Sequence, residues 1–390
     1  MTPLPLAGQA DGLTGFEQGN QPRAVLRLCD PVAGGPSSSS DVALVKDTAD
    51  AMAAKQRGFG TVLAVGGIAT LEAGPRVIRV AQRFQYLADG DIIGMDIGSR
   101  RFRALYRKAS AHNSLLVTER CNHLCLMCSQ PPRDVDDGWI IDEIAEALPL
   151  MHPGTAAIGF TGGEPLTEWR RFFPLIAQTR EVLPETEVHV LTNGRAFADR
   201  EIASAWASLN HARLCAGIPI YSCVDVVHDH VVQARGAFDE TLHGILRLKD
   251  KGQRVELRLV LHRLTVPTLV ETCTWFARNL PFVDHIALMG MENTGYALAN
   301  QEALWIDPMD YRDELALSVD ILSAARINVS VYNVPRCVLA PKVWPFAVQS
   351  ISDWKNAFLP ECAECVERPR CGGFFSTGRP RFSRGVKPLQ

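Results

Sequence analysis

The residues of this chain best suited to metal chemistry are its cysteines, 11 in 390 residues and unevenly placed. Cys121, Cys125 and Cys128 form a knot spaced C-x3-C-x2-C. Cys362, Cys365 and Cys371 follow as C-x2-C-x5-C, with Cys337 upstream, while Cys29, Cys215, Cys223 and Cys273 are scattered. Disulfide frameworks belong to short secreted chains with little core. In a long chain with ample apolar content, clustered thiols read first as metal or cluster ligands. Three thiolates on one loop hold three corners of a [4Fe–4S] cube and leave one iron open to a substrate or cofactor. The first knot alone also fits a zinc site completed by His123 or His112, or a set of buried small side chains. The second, C-x24-C-x2-C-x5-C including Cys337, matches both a saturated [4Fe–4S] cluster and an all-thiolate zinc site.

The elements that must position these residues are legible in the apolar pattern. From Ser114 onward, strands alternate with amphipathic helices. LLVT, AAIGFTG, EVHVLTNG, ARLCAGIPIY, RVELRLVL and FVDHIALM read as six strands. Between them, WIIDEIAEAL places Ile140, Ile141, Ile144, Ala145 and Leu148 on one helical face, and AFDETLHGILRLKDKG places Phe238, Leu242, Ile245 and Leu246 together before a Gly252 stop. Helices are also expected over WRRFFPLIAQTREVL, despite Pro174, over DREIASAWASL and TLVETCTWFARNL, and at about Met309–Ala325. Serial βα units imply parallel strands with crossover helices, as a doubly covered sheet or an incomplete barrel. The first knot follows the first strand directly, at the end of a parallel sheet where α/β folds carry their chemistry. The region before it differs. A Gly/Ser-rich stretch, PVAGGPSSSSD, precedes short apolar runs (TVLAV, RVIRV, DIIGMDI, RFRALY) that predict a small, mainly β unit with a helix near Asp47–Lys55 and no evident chemistry. Beyond Ile327 the pattern breaks into Pro- and Cys-containing irregular structure. The expected division is therefore 1–110, 111–325 and 326–390.

These features resemble the radical S-adenosylmethionine (SAM) superfamily, whose hallmark is the C-x3-C-x2-C knot after the first strand of a partial (βα)6 barrel. Thr161-Gly162-Gly163-Glu164-Pro165, at the end of the second strand, is similar to the superfamily's GGEP element. The resemblance implies that Cys121, Cys125 and Cys128 hold a [4Fe–4S] cluster and that Gly162, Gly163, Glu164 and Pro165 bind the amino end of SAM. Two glycines permit close main-chain approach, and a carboxylate suits an ammonium. Asn193, ending the third strand in Thr192-Asn193-Gly194, and Ser222, past the fourth, are implied further SAM contacts. Weaker matches are His228-Asp229 with Gly236-Ala237-Phe238-Asp239, His262-Arg263, and Met289-Gly290-Met291-Glu292 near the expected adenine position. The terminal CGGFF segment resembles the auxiliary-cluster extensions of SPASM and twitch type. It implies one second [4Fe–4S] cluster, alternatively zinc, on Cys337, Cys362, Cys365 and Cys371. With the β-rich N-terminal region, the set resembles the His-Xaa-Ser system radical SAM maturases. That implies a peptide or small protein substrate, a second radical SAM protein as partner, and a reductant such as flavodoxin or ferredoxin.

Composition limits the alternatives. A net charge of -3, from 40 Lys+Arg and 43 Asp+Glu, gives no electrostatic reason to expect nucleic acid as a partner. No apolar run reaches a membrane span, and MTPLPLAGQADG lacks a secretory signal, so a cytoplasmic protein is expected. Three other functions compete with peptide modification. A non-catalytic iron–sulfur carrier needs no GGEP turn; a zinc-stabilised binding protein would be colourless; a radical SAM enzyme acting on a small metabolite would ignore peptides.

Overall fold

A computed structural model of the chain describes residues 6–16, 23–67, 75–350, 356–375 and 383–390, and two eight-stranded sheets organise them. The N-terminal sheet comprises β1 (Ala7–Gln9), β2 (Gly12–Thr14), β3 (Arg23–Cys29), β4 (Asp41–Val45), β5 (Thr61–Val65), β6 (Arg76–Val80), β7 (Ile92–Asp96) and β8 (Arg101–Tyr106). Its order is β1-β8-β7-β3-β4-β5-β6-β2. β3 to β6 run parallel, and antiparallel strands flank them on both sides. β4 and β5 are buried along their whole length because both faces are covered. Alternate residues Ala43, Val45 and Val62 pack under helix α1 (Thr48–Gln56), and Val42, Leu44, Leu63 and Val65 join the core on the other face. The expected helix is in place, with the Asp47 carboxylate accepting the Asp50 N–H at 2.9 Å as its cap.

The second sheet contains β9 (His112–Thr118), β10 (Ala157–Gly162), β11 (Glu187–Leu191), β12 (Leu214–Pro219), β13 (Arg254–Leu261), β14 (His285–Gly290), β15 (Val329–Tyr332) and β16 (Ala347–Val348). All its neighbours are parallel, and spatial order follows chain order. A doubly covered sheet reverses its order at a switch point. Unbroken order with right-handed crossovers puts every helix on one face, which is the partial barrel. The connecting helices are α2 (Trp139–Ala147), α3 (Trp169–Val182), α4 (Arg200–Ser208), α5 (Asp225–Val232), α6 (Ala237–Asp250), α7 (Leu269–Asn279), the short α8 (Gly295–Ala299) and α9 (Gln301–Leu304), and α10 (Arg312–Ala324). β17 (Asn356–Ala357) and β18 (Phe374–Phe375) pair separately. All six expected barrel strands form, and β15 and β16 extend the sheet past Ile327. Leu246 departs from its expected face: α6 buries Phe238, Thr241, Gly244, Ile245 and Leu248, and leaves Leu246 42% exposed. The buried stripe is centred one position from the one read off the leucines.

Along β13, Val255, Leu257, Leu259 and Leu261 face the helices, so Glu256 and Arg258 point into the barrel. There the Glu256 carboxylate meets Arg258 at 2.9 Å and His285 Nδ1 at 2.8 Å, while His285 Nε2 lies 2.9 Å from the Ser330 hydroxyl. Burial works against its ionisation. The hydrogen bond from His285 and the Arg258 charge outweigh burial and hold the carboxyl at about 2. The two sheets also share a core. Val25, Ile92, Leu105 and Tyr106 pack with the barrel cluster, the Tyr106 hydroxyl lies 2.8 Å from that of Thr155, and the Arg23 guanidinium sits 3.3 Å above the Trp139 ring. Among the described residues no helix is long and apolar enough to cross a membrane.

Glu256→Gln is expected to cost about 3 kcal/mol near neutral pH, because it leaves Arg258 buried without its counter-charge. The folded carboxyl titrates below its unfolded value of 4.5, so its contribution is full above that value and lost as pH falls toward 2. Urea midpoints of parent and variant should keep a constant gap above about pH 5 and draw together as pH falls from about 4.5 toward 2; an unchanged gap across that window would contradict this.

Candidate functional site

The loop between β9 and α2 carries Cys121, Cys125 and Cys128 at the C-terminal ends of the barrel strands. Its two ends are tied together by buried Asp137, which accepts the Thr118 hydroxyl at 2.8 Å and the Glu119 N–H at 2.5 Å and pairs with Arg120 at 3.3 Å. Its middle is gripped by elements remote in sequence. The N–H groups of Leu124 and Leu126 donate to the Val232 and Val231 carbonyls ending α5, at 3.2 and 2.9 Å. Asn300, between α8 and α9, donates to the Leu126 carbonyl at 2.8 Å, and the Tyr296 N–H to that of Cys128 at 2.8 Å. Helix α5 lies outside the sequence-derived elements; its eight residues mix apolar and charged side chains too evenly for a clear stripe.

Burial raises all three thiols, Cys121 to about 11 and Cys125 further, and the charge of Cys128 raises both of the others. Three anions cannot share this space without a cation. That donor set, three sulfurs on one loop, fits the iron–sulfur cluster expected there. Among the described residues no group of three or more His, Cys, Asp and Glu is gathered as ligands of a single metal ion.

The Gly-Gly-Glu-Pro turn lies directly against this loop. β10 shifts register on β9 between Thr161 and Gly162, and Gly162 takes φ +147°. A Cβ at Gly162 would overlap the Thr118 carbonyl, and one at Gly163 would overlap the Arg120 carbonyl and press Cys121 Cβ at 3.1 Å. The close approach these glycines permit is thus to the cysteine loop itself, sealed by Gly163 N–H to Thr118 O and Glu164 N–H to Arg120 O, both 2.8 Å. Glu164, 1% exposed, accepts from Leu166 N–H at 3.0 Å and the Thr192 hydroxyl at 2.6 Å on one oxygen, and from Asn193 N–H at 2.6 Å on the other. One lone-pair direction of the second oxygen is left for a further donor. The Asn193 amide closes the group by donating to the Asn122 side chain at 2.6 Å. Pro165 is buried and opens the turn that follows. Ser222 stands apart from this group: its hydroxyl lies 3.0 Å from that of Thr268 and accepts the Val224 N–H at 3.1 Å.

Sequence reasoning missed Tyr221, whose ring stacks on His228 at 5.7 Å and approaches His262 at 6.5 Å. Burial, then the charges of the cysteine loop, push its hydroxyl well up. Burial holds His228 and His262 neutral, at about 4. Their Nδ1 atoms accept the Tyr221 and Leu264 N–H groups at 3.2 and 3.3 Å. Each therefore carries its proton on Nε2, which is buried and unpartnered among the described residues. The usable signal was Tyr221 two residues past the end of β12, followed by a histidine seven positions on.

The second knot also converges. Cys337, Cys362, Cys365 and Cys371 line one small pocket with Arg336 and Glu367, whose buried ion pair spans 2.5 Å. The N–H groups of Arg336 and Gly373 both donate to the Cys371 sulfur at 3.4 Å. Burial, and the charge of Cys371, raise Cys337 and Cys362. Four sulfurs around one pocket, with N–H donors aimed at them, fit a thiolate-bound metal group.

The site joins a partial parallel barrel to a three-cysteine loop braced by a glycine turn at the barrel mouth. Residues 115–276 match the model of the Radical SAM superfamily, a match that implies a [4Fe–4S] cluster and SAM. The chain is 29% identical over 154 residues to Fe-coproporphyrin III synthase of Methanosarcina barkeri (strain Fusaro / DSM 804), covering 38% of this chain and 37% of that protein's length. Among solved structures it is similar to Streptococcus suis SuiB bound to S-adenosylmethionine, with a TM-score of 0.46 and 14% identity over 58% of this chain and 51% of that one. A radical SAM methyltransferase from Sphaerobacter thermophilus gives 0.43 and 14%, over 64% and 74%.

Gly163→Ala is expected to destabilise the fold by about 2 kcal/mol through overpacking and to lower iron incorporation. Gly60→Ala, where a Cβ meets open space, should change neither. Thermal melting and iron per chain test the pair.

Proposed function

We propose that the chain is a radical SAM enzyme that modifies a peptide or small protein, of the His-Xaa-Ser system type. The observation that carries the reading is the contact between the cysteine loop and the Gly-Gly-Glu-Pro turn, which sets the Cys121 end of the three-thiol loop beside the Glu164–Thr192–Asn193 group at the barrel mouth. Cys121, Cys125 and Cys128 would hold the cluster. Gly162, Gly163, Glu164, Pro165, Asn193 and Ser222 would hold SAM, Glu164 through its remaining lone pair and Asn193 as part of the Asn122–Glu164 group. When bound, this pair supplies one-electron reductive cleavage of SAM and, from it, hydrogen-atom abstraction. The chain contributes position and dryness. Met127, Tyr221, Val231, Val232, Ala297 and Leu304 form an apolar cluster beside Cys125, which excludes water from reactive species.

Cys337, Cys362, Cys365 and Cys371 would hold one auxiliary [4Fe–4S] cluster that accepts the substrate electron or anchors the substrate, zinc being the alternative. The proposed division is 1–110 for partner recognition, 111–325 for the barrel and 326–390 for the auxiliary centre. A cleft of about 790 Å3 supports the first assignment. It runs between β1 of the N-terminal sheet and Glu119, Arg133 and Asp136, which flank the cysteines at the two ends of their loop. A flavodoxin or ferredoxin as reductant, a second radical SAM protein as partner and a cytoplasmic location complete the reading.

Cys121→Ala should lose most iron at the first loop and reduce 5′-deoxyadenosine formation at least about 100-fold. A reconstituted variant producing it at the parental rate overturns the assignment. A mass change in a His-Xaa-Ser repeat peptide, incubated anaerobically with enzyme, SAM and reductant, tests the substrate. Turnover of a small metabolite with no peptide change supports the competing radical SAM reading.

A further inference from the structure

The segment Ser383–Gln390 lies across the second cysteine knot. Lys387 and Leu389 line the pocket with the four cysteines. The Leu389 N–H donates to the Cys365 sulfur at 3.3 Å, and the Leu389 carbonyl accepts the Val366 N–H at 3.1 Å. The Cys365 sulfur therefore receives a hydrogen bond from a segment distant from the knot in sequence.

That segment is fastened elsewhere. Asp307, ahead of α10, has a side chain 6% exposed and accepts the Ser383 hydroxyl at 2.6 Å and the Arg384 N–H at 3.0 Å. The Arg384 guanidinium reaches the same carboxylate at 3.1 Å and Asp310 at 2.5 Å. Gly385 lies against Met309 so closely that a Cβ would strike its sulfur, and Val386 packs on the barrel core. The fastening involves no cysteine, so the position of the Leu389 N–H group is set by contacts outside the knot.

We propose that Ser383–Gln390 is a strap, buckled to the barrel at Asp307, that retains the metal group of the second knot, with Leu389 as a positioning residue acting through its backbone N–H group. The proposal rests on the reading of that knot as a metal centre. An N–H donor aimed at a metal-bound thiolate takes up part of its charge, so the sulfur is less readily protonated and less readily released. The strap also covers one side of the pocket.

The test uses the full-length, metal-loaded protein under anaerobic conditions. Metal transfer to an excess of chelator is followed by absorbance and elemental analysis. The part due to the first loop is taken from a Cys362→Ala/Cys365→Ala variant and subtracted. Leu389→Pro deletes the N–H while keeping the carbonyl, and should speed release from the second knot by roughly 10- to 100-fold. Leu389→Ala, which keeps the N–H, should stay within about twofold of the parent. Asp307→Asn, which weakens the buckle without touching the pocket, should also release faster than the parent. Parental rates in both Leu389→Pro and Asp307→Asn overturn the strap. Equal acceleration in Leu389→Pro and Leu389→Ala overturns the role of the N–H. If the parent holds no more metal than the double cysteine variant, the metal reading of the second knot fails and takes the strap with it, an outcome distinct from metal that is present but indifferent to Leu389.

Discussion

The site depends on one contact made without side chains. The main chain of Gly162 and Gly163 lies against the carbonyls of Thr118 and Arg120, at a distance no other residue type tolerates. That contact makes the ends of β9 and β10 a single ledge. Everything that defines the mouth is referred to it: Cys121 by direct contact, Glu164 by the hydrogen bond of its N–H to Arg120, and through Glu164 the Thr192–Asn193 turn. Glu164 is a carboxylate with three chain donors in a dry place. Burial raises its pKa and those donors oppose the rise. It serves first as a staple between strand ends.

The barrel beneath supports this arrangement through alternation. Apolar residues of each strand turn outward to the helices, and the inward positions carry a polar network of Glu256, Arg258, His285 and Ser330. A parallel sheet with one face under helices and the other curled on itself can keep charges inside, provided each is paired. Arg258 also packs against Gly217 of the neighbouring strand, where a side chain would meet its Cδ at 3.3 Å.

Much of this is legible in the amino-acid sequence. The six barrel strands announce themselves as apolar runs, and both cysteine knots stand out by spacing. What escaped has physical reasons. The eight residues of α5, DVVHDHVV, owe their helix to packing on the cysteine loop and not to a periodic stripe. β15 is four residues of mixed character that become a strand only because β14 presents a free edge. Leu246 misled because leucine spacing was weighed above the small residues Thr241 and Gly244, which let α6 approach the Gly194 turn closely. Tyr221 could be placed beside the cysteines only by the sheet register. The glycines of the Gly-Gly-Glu-Pro turn were correctly singled out for close approach, but sequence could not say that the partner was the chain's own loop.

The braces of the cysteine loop are spread widely along the polypeptide. Asp137 lies 19 residues from Thr118, whereas Asn300 lies 174 residues from Leu126. Because each barrel strand pairs only with its chain neighbours, the sheet grows stave by stave, and the loop reaches its final shape only after α8 and α9 have docked. Loop closure over such a span is entropically slow. The three thiols thus stay on a slack tether until residues far along the polymer are in place.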